Sequence, residues 1–404
     1  MEDATLRFGS VDWASEKHTA CVVDGGGKAV EEFEVAHDAP GLSALCRRLL
    51  RADAQRVAIE RPDGPVVDAL MDAGLKVVVV SSRSVKALRT RYGLAGNKDD
   101  RSDAFILADC LRTDGHRWPS LQPDAPLTLA LRSAVRARKD LVASRVATAN
   151  QLRAHLDIVF PGAVGLFAEV DSPISLSFLE RFPSAAKAAW LSENRLGAWL
   201  MANAYCGRTS VIELLRRLRS APAGRHGAAA EMHAKVTLVL ARVLRSLLAE
   251  IGQLEAQIAE QLALHPDGFI FQSLPRAGTV RAAALLAEIG DCRARFPTPD
   301  ALACLAGAVP STRRSGRYKA VTFRWACDKR LRDALVDFAQ DTRRASPWAD
   351  QLYRRHRAQH KTHPHTARIL TRSWIDVIWR CWQDRVAYDP ARHRALQRVL
   401  ARGA

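Results

Sequence analysis

Asp99, Asp100 and Asp103 place three carboxylates within five residues, flanked by Lys98 and Arg101, in the run Gly96-Asn97-Lys98-Asp99-Asp100-Arg101-Ser102-Asp103-Ala104-Phe105. On a helix, Asp100 and Asp103 share one face and can converge on a single cation. Without that cation the like charges repel, so the pair points to metal chemistry completed by carboxylates from elsewhere. Asp99 suits the helix cap and Asp100 the ligand position. Two earlier residues can complete the set: Asp12 and Glu60. Each also has a plain reading, Asp12 as a turn-former and Glu60 as a loop residue before Arg61-Pro62.

The elements that must position them follow from the apolar pattern. Residues 6–13, 19–23 and 29–35 alternate as strands, with Asp24-Gly25-Gly26-Gly27 as a hairpin turn. A helix is predicted over 41–51, a strand over 56–60, a helix over 66–73 and a buried strand over 76–80, then helices over 84–91 and 99–111. Three strands, helix, strand, helix, strand, helix is the order of a ribonuclease-H-like, or RuvC-like, α/β domain. Asp12 and Glu60 then end neighbouring strands and face a helix carrying Asp100 and Asp103. Four carboxylates so placed can hold two Mg²⁺ ions, which take hard oxygen ligands and share them with substrate phosphates.

Two long helices come next, over 127–160 and 228–264. In the first, Arg132, Arg136, Arg138, Lys139, Arg145 and Arg153 are either phosphate contacts or ordinary solvated cations. In the second, Val236, Leu240, Val243, Leu247, Ile251, Leu254, Ile258 and Leu262 form a near-heptad seam. The seam predicts a coiled coil that also dimerises, with an intrachain hairpin as the alternative. Between them, residues 163–226 read as irregular helical turns.

Beyond the long helices, Phe271-Gln272-Ser273-Leu274-Pro275-Arg276-Ala277-Gly278 and the helix after it have the form of a helix-hairpin-helix element, whose amides suit a nucleic-acid backbone. A helix over 296–305 ends at Gly307-Ala308-Val309-Pro310, and an exposed loop, Ser311-Thr312-Arg313-Arg314-Ser315-Gly316-Arg317-Tyr318-Lys319, follows. A serine is a poor nucleophile at neutral pH unless a base, a metal or dense positive charge assists it. Ser315, beside Gly316 and among Arg313, Arg314, Arg317 and Lys319, is placed either to meet a scissile phosphate or to be a turn serine in a phosphate-binding loop. A basic helix over 329–344, opening on Lys329 and Arg330, extends the nucleic-acid surface.

The 404 residues, 48% apolar and 25% charged, allow two or three domains. The expected division is 1–120, a long-helix region over 121–265 with the insertion 163–226, and a basic helical domain over 266–404. A net charge of +17 points to a polyanion, and 16 Lys/Arg against five Asp crowd residues 311–372. No apolar run reaches the roughly 20 residues of a membrane span, and Met1-Glu2-Asp3 is no signal peptide, so a cytoplasmic, nucleoid-associated location is expected. The eight scattered cysteines form no C-x-x-C pair and read as reduced thiols.

Taken together, these motifs resemble the insertion-sequence 110 family of DEDD transposases, RNA-guided (bridge RNA) recombinases. Residues 98–104 are similar to the family's K-T-D-R-x-D-A. The likeness includes Asp12 and Glu60 and resumes over 274–335 with Leu-Pro-x-x-Gly, Leu-Leu-Ala-Glu-Ile-Gly-Asp, Arg-Phe, Gly-x-x-Pro and Ser-Gly. Pro275-Arg276-Ala277-Gly278 stands where the family has Pro-Gly-Ile-Gly, and Gly307-Ala308-Val309-Pro310 where it has Gly-Leu-x-Pro. Residues 163–226 carry no such match.

The resemblance implies a DNA transposase. Asp12, Glu60, Asp100 and Asp103 would be its Mg²⁺-binding DEDD set and Ser315 its nucleophile, with Ser311 a minor competitor. It also implies donor and target DNA, a bridge RNA, and a dimer or tetramer. Two alternatives stand beside it: a RuvC-like nuclease that hydrolyses with metal-activated water, and a non-catalytic nucleic-acid-binding protein derived from a transposase.

Overall fold

A computed structural model describes residues 6–89, 99–224 and 228–403 of the chain. Gly96, Asn97 and Lys98 of the acidic run lie outside the described residues. The chain divides into two compact units, Met1–Pro123 and Asp124–Ala404.

The first unit is built on strands β1 (Arg7–Trp13), β2 (Lys17–Asp24) and β3 (Ala29–Ala36), helix α1 (Ala39–Arg51), strand β4 (Arg56–Ile59), helix α2 (Pro65–Asp72), strand β5 (Lys76–Val79), and helices α3 (Ser82–Arg89) and α4 (Asp100–Asp114). The sheet order is β3-β2-β1-β4-β5. β1 pairs antiparallel with β2 and parallel with β4, and β4 pairs parallel with β5. This order fits the ribonuclease-H-like α/β arrangement expected from the sequence.

Side-chain alternation sends the two faces of β4 and β5 into different cores. Val57, Ile59 and Val77 join Val11, Leu45, Leu49, Val66 and Leu70 under α1 and α2. Ala58 and Val78 instead meet Ile106, Leu107, Cys110 and Leu111 of α4. Each such fully buried branched side chain contributes roughly 1.5–3 kcal/mol, which is why a four-residue strand with no polar face is stable here. Small residues let α4 lie close: Ala104 and Ala108 pack on Cys21 and Val23. Asp109 and Arg112, bonded at 2.6 Å, tie the helix to the β2–β3 turn through Gly25 O.

The second unit begins with α5 (Pro126–Val159), followed by α6 (Pro173–Arg181), α7 (Ala185–Ala188), α8 (Glu193–Ala202), α9 (Val211–Ser220) and α10 (Ala228–Leu264). α5 and α10 run antiparallel, as the pairs Thr128–His265 (2.8 Å), Arg138–Glu255 (2.7 Å) and His155–Thr237 (3.1 Å) show. The long helices therefore form the intrachain hairpin that the sequence left open. The expected seam divides: Leu240, Ile251, Ile258 and Leu262 are buried, whereas Val236 and Val243 are exposed.

Residues 163–224, within the insertion expected to be irregular, include four helices that close the hairpin's end over an aromatic cluster. Phe178 lies 5.1 Å from Phe182 and 5.5 Å from Trp199. Each helix has a serine N-cap, Ser172, Ser184, Ser192 and Ser210, accepting an amide three residues on.

The chain then continues through α11 (Gly268–Gln272), α12 (Gly278–Ile289), α13 (Pro299–Leu305), strands β6 (Ser311–Ser315) and β7 (Tyr318–Thr322), α14 (Lys329–Asp341), α15 (Pro347–Ala358), α16 (His363–Asp384) and α17 (Arg394–Gly403). One core joins Leu131 of α5 and Ile258 and Leu262 of α10 to Leu285, Leu335, Phe338, Trp374 and Trp382. Where the sequence predicts a helix over 296–305, α13 begins only at Pro299, after a short 3-10 turn. The helix expected over 329–344 likewise ends in a 3-10 turn, Thr342–Arg344.

Five of the six cations that the sequence singles out on α5 are engaged within the unit, and Arg153 is exposed. Arg136 clamps Glu288 at 2.9 and 2.6 Å, Lys139 meets Asp333 at 3.0 Å and Arg145 meets Asp171 at 2.7 Å. Arg132 binds the buried Asp124 at 2.5 Å, and Arg295 joins at 3.1 Å. Burial alone would raise the Asp124 carboxyl, but these guanidiniums hold it below the usual carboxylate range. The phosphate-contact reading of Arg132, Arg136, Arg138, Lys139 and Arg145 is therefore replaced by ion pairs within the unit.

Candidate active site

Parallel pairing of β1 with β4 runs in register to Val11–Ile59, so Asp12 and Glu60 follow side by side at the carboxyl ends of adjacent strands. Neighbouring strands lie about 4.8 Å apart, close enough for two carboxylates to share a cation. Both face the α4 side. Val11 and Ile59 enter the core beneath α1 and α2, whereas Ser10 and Ala58, two residues before the carboxylates, meet α4.

Ser10 fixes the third component. Its buried hydroxyl donates to Ala104 O at 2.6 Å, holding the first turn of α4 across β1. Asp103 precedes Ala104 and is only 4% exposed, while Asp100, one turn earlier, is exposed. Asp99 occupies the N-cap position, but its carboxylate takes no amide; it accepts from Ser102 Oγ at 3.3 Å. Asp99 O receives the Asp103 amide at 2.9 Å, so Asp99 caps through its backbone only.

Cations flank the strand ends. Trp13 follows Asp12 and Arg61 follows Glu60, and the Arg61 guanidinium lies over the Trp13 ring at 4.3 Å. This contact clips the carboxyl end of β1 to the residue just past β4. Lys17 bonds Glu34 at 2.9 Å, which with the Glu34 charge and that of nearby Asp100 raises the ammonium pKa.

Asp12 and Glu60 thus face the helix that carries the buried Asp103 and the exposed Asp100. Their hard oxygen donors fit Mg²⁺ or a similar divalent cation and do not suit a thiophilic metal. Among the described residues no group of three or more His, Cys, Asp or Glu side chains is gathered as a ready metal cage.

The segment expected to be a loop around Ser315 is a β-hairpin. β6 and β7 pair antiparallel from Ser311–Thr322 to Ser315–Tyr318, leaving Gly316 and Arg317 as the turn. Gly316 has φ +54° and Arg317 does not share the positive φ, the glycine-first pattern of a type II′ turn. Arg314 and Lys319 face each other directly in the ladder, a like-charge pair that destabilises a hairpin unless an anion covers it. Ser315, Arg313 and Tyr318 occupy the other face, all exposed. Among the described residues the Ser315 hydroxyl has no hydrogen-bond partner, so any activation must come from surrounding charge, metal or substrate. Ser311 sits at the hairpin's base, where its carbonyl accepts from Thr322 at 3.4 Å.

Lys329 is exposed at the start of α14, whereas Arg330 faces Asp140 of α5 at 3.3 Å and is partly committed within the chain. The helix-hairpin-helix-like element has a five-residue first helix, α11, and a turn in which Arg276 (φ +60°) and Gly278 (φ +56°) are both left-handed. Arg276 is drawn onto Asp341 at 2.9 Å. Sequence reasoning missed Ser10, whose only signal was a small polar residue at an inward strand position.

Comparison with known proteins matches these two regions separately. Residues 10–161 match the DEDD transposase model of the IS110 type, and residues 269–354 match that of the IS116/IS110/IS902 transposase family. The first span contains Asp12, Glu60, Asp100 and Asp103; the second contains Ser315. The chain is 33% identical over 405 residues, 97% of each chain, to a mini-circle protein of Streptomyces coelicolor (strain ATCC BAA-471 / A3(2) / M145) named as a transposase for IS117. It is 28% identical to the 43.6 kDa protein of insertion element IS110 from the same organism, covering 96% of both. It is 27% identical to the 42 kDa protein of insertion element IS900 from Mycobacterium paratuberculosis, covering 95% of this chain and 97% of that one. No helix among the described residues is long and apolar enough to cross a membrane. Near-full-length identity to a transposase, with both family models in order, settles the assignment: the chain belongs to the IS110 family of transposases.

Proposed function

We propose that this transposase cuts and rejoins DNA using Asp12, Glu60, Asp100 and Asp103 together with Ser315. The observation that carries the reading is the in-register end of β1 and β4, which sets Asp12 beside Glu60 on the face that α4 covers with Asp103. Mg²⁺, one or two ions, would be held by these four carboxylates and would supply charge stabilisation at the scissile phosphate and leaving oxygen.

In the proposed step, Ser315 Oγ bonds to phosphorus, the bond from phosphorus to one strand oxygen breaks, and the serine proton passes to solvent. The leaving oxygen takes a proton from solvent to end as a strand hydroxyl. The strand is then held as a phosphoserine ester. A hydroxyl end of another strand attacks that ester, Ser315 leaves, and a phosphodiester is restored without any nucleotide cofactor. Arg313, Arg314, Arg317, Lys319 and Lys329 bind the flanking phosphates, Arg330 at their edge, and Gly316 lets the backbone approach. Residues 1–120 thus carry the carboxylates and 266–404 the serine, joined through 121–265.

Sequence choice falls to a bridge RNA paired with donor and target DNA, in an assembly of two or four copies. A protein rich in arginine and poor in base-reading motifs suits backbone and shape recognition, with pairing left to the RNA. The experiment is cleavage of supercoiled donor DNA by purified protein with co-purified RNA and Mg²⁺. Asp12→Asn with Asp103→Asn should abolish strand breakage while leaving DNA binding intact; undiminished breakage would remove the carboxylates from the chemistry. Sequencing the co-purified nucleic acid should return one RNA encoded beside the gene, and its absence would remove the guide.

A further inference from the structure

Phe323, Arg324, Trp325, Ala326, Cys327 and Asp328 join β7 to α14 and are pinned in place. Asp328 N donates to Leu305 O at 2.8 Å, and at Gly307 (φ +64°) a Cβ would stand 2.9 Å from both Cys327 Cβ and Sγ. Two residues before this anchor Trp325 is 80% exposed, with its ring edge-to-face on Phe323 at 4.7 Å. An indole left in water is a poor use of apolar surface unless a flat partner covers it.

Behind Trp325 the surroundings are cationic. The guanidiniums of Arg368 and Arg332 lie 4.7 and 5.8 Å from the Phe323 ring centre. Arg332 has Asp333 at 3.6 Å, but among the described residues neither Arg368 nor Arg324 meets a carboxylate, and Arg324 Nε is buried without an acceptor. Burial and the neighbouring Arg332 both lower the Arg368 pKa, the condition of a guanidinium that an incoming anion would relieve. Arg324, Arg368, His365, Phe323, Thr322 and Pro310 share a cavity of about 210 Å³. That is roughly seven waters' share of liquid volume, room for a phosphate and part of its sugar.

We propose that this is a binding site for one unpaired DNA nucleotide, its base stacked on Trp325 and its phosphate held by Arg324 and Arg368. A base inside a duplex cannot offer its face to an indole, so the site takes a strand end, a nick or an unwound stretch, the forms that strand cutting creates. Tyr318, 67% exposed, pairs with Ser315 at the far end of the hairpin from which this segment leaves. The site deepens the proposed reading of this unit as the one that handles the cut strand, and rests on it.

The test uses the full-length protein and a single-stranded DNA oligonucleotide carrying 2-aminopurine at successive positions, with fluorescence reporting stacking and anisotropy reporting affinity. Wild type should quench one or two adjacent positions. Trp325→Ala should lose the quench and bind about tenfold more weakly, and Trp325→Phe should keep both within about threefold. Arg368→Gln should weaken binding and flatten its salt dependence while keeping the quench at saturation. Melting curves serve as the fold control, since Trp325 packs on little besides Phe323. Equal affinity and quench in Trp325→Ala would overturn the proposal, as would a Trp325→Ala loss of affinity that is as large for duplex DNA as for the single strand. The assay needs no cleavage, so Ser315→Ala should bind like wild type; failure of the serine chemistry and failure of this site therefore appear in different variants.

Discussion

Ser10 gives the sharpest test of how the fold sets the carboxylates. Its hydroxyl is the link from β1 to α4, 2.6 Å from Ala104 O, one residue beyond Asp103. Ser10→Ala removes one buried hydrogen bond, and Ala104 O keeps its helical amide, so the loss is about 1 kcal/mol or less. For a unit of this size that lowers the melting temperature by about 4 °C. Ser10→Val does more. A methyl carbon approaches a carbonyl oxygen no closer than about 3.4 Å, so α4 must retreat by about 0.8 Å from its present contact. Overpacking of this kind costs about 1–3 kcal/mol, and a displacement near 1 Å at a catalytic group slows reaction about a hundredfold. Single-turnover cleavage at saturating DNA, with thermal melts on the same samples, separates the two. The expected result is a near-normal rate for Ser10→Ala and about a hundredfold loss for Ser10→Val with unchanged DNA affinity. Equal rates for two folded variants would refute the claim that α4 placement governs the chemistry.

Two further outcomes follow from charge. Arg314→Ala with Lys319→Ala should lower the slope of log affinity against log salt for DNA by about 2, since each removes about one phosphate contact. The melting temperature should hold or rise, because the pair repels across the ladder; a large drop would mean the hairpin depends on them. His18 is buried, and burial reinforced by His37 holds it at about 4, below its ordinary 6.5. The unfolded chain therefore takes up this proton first as pH falls from about 6.5 to 4, and stability declines through that window by up to about 1.4 kcal/mol per pH unit. Urea unfolding across the window should show a shallower decline in His18→Gln than in wild type; parallel declines would count against it.

Much of the first unit was legible because β3 alternates and β5, with Val77 and Val78, is an apolar run, each bounded by turn residues. α2 and α4 end before Gly74 and Gly115, whereas α1 ends before Ala52 and a left-handed Asp53. The exception at the site was Asp99: a carboxylate one residue before a helix looks like an amide acceptor, but Ser102 competes for it. The hairpin at 311–322 escaped because Ser-Thr-Arg-Arg-Ser shows no apolar alternation, both faces being exposed. Its available signal was the glycine-first, two-residue turn at Gly316. The α5 cations were ambiguous because Glu288, Glu255 and Asp333, the partners of Arg136, Arg138 and Lys139, lie more than a hundred residues away. The insertion over 163–226 was readable after all. Four serines stand three residues before the amides they cap, and Ser210-Val211-Ile212-Glu213 is a capping-box sequence.

The account stands most directly on a protein–DNA bond at Ser315. Protein, guide RNA, donor DNA and Mg²⁺ are combined, quenched in denaturant and digested, and the linked peptide is sequenced by mass spectrometry. The account predicts a nucleotide esterified to Ser315, absent from Ser315→Ala and from Asp12→Asn with Asp103→Asn. Full strand cleavage by Ser315→Ala with no adduct, or an adduct on Ser311 instead, would contradict it.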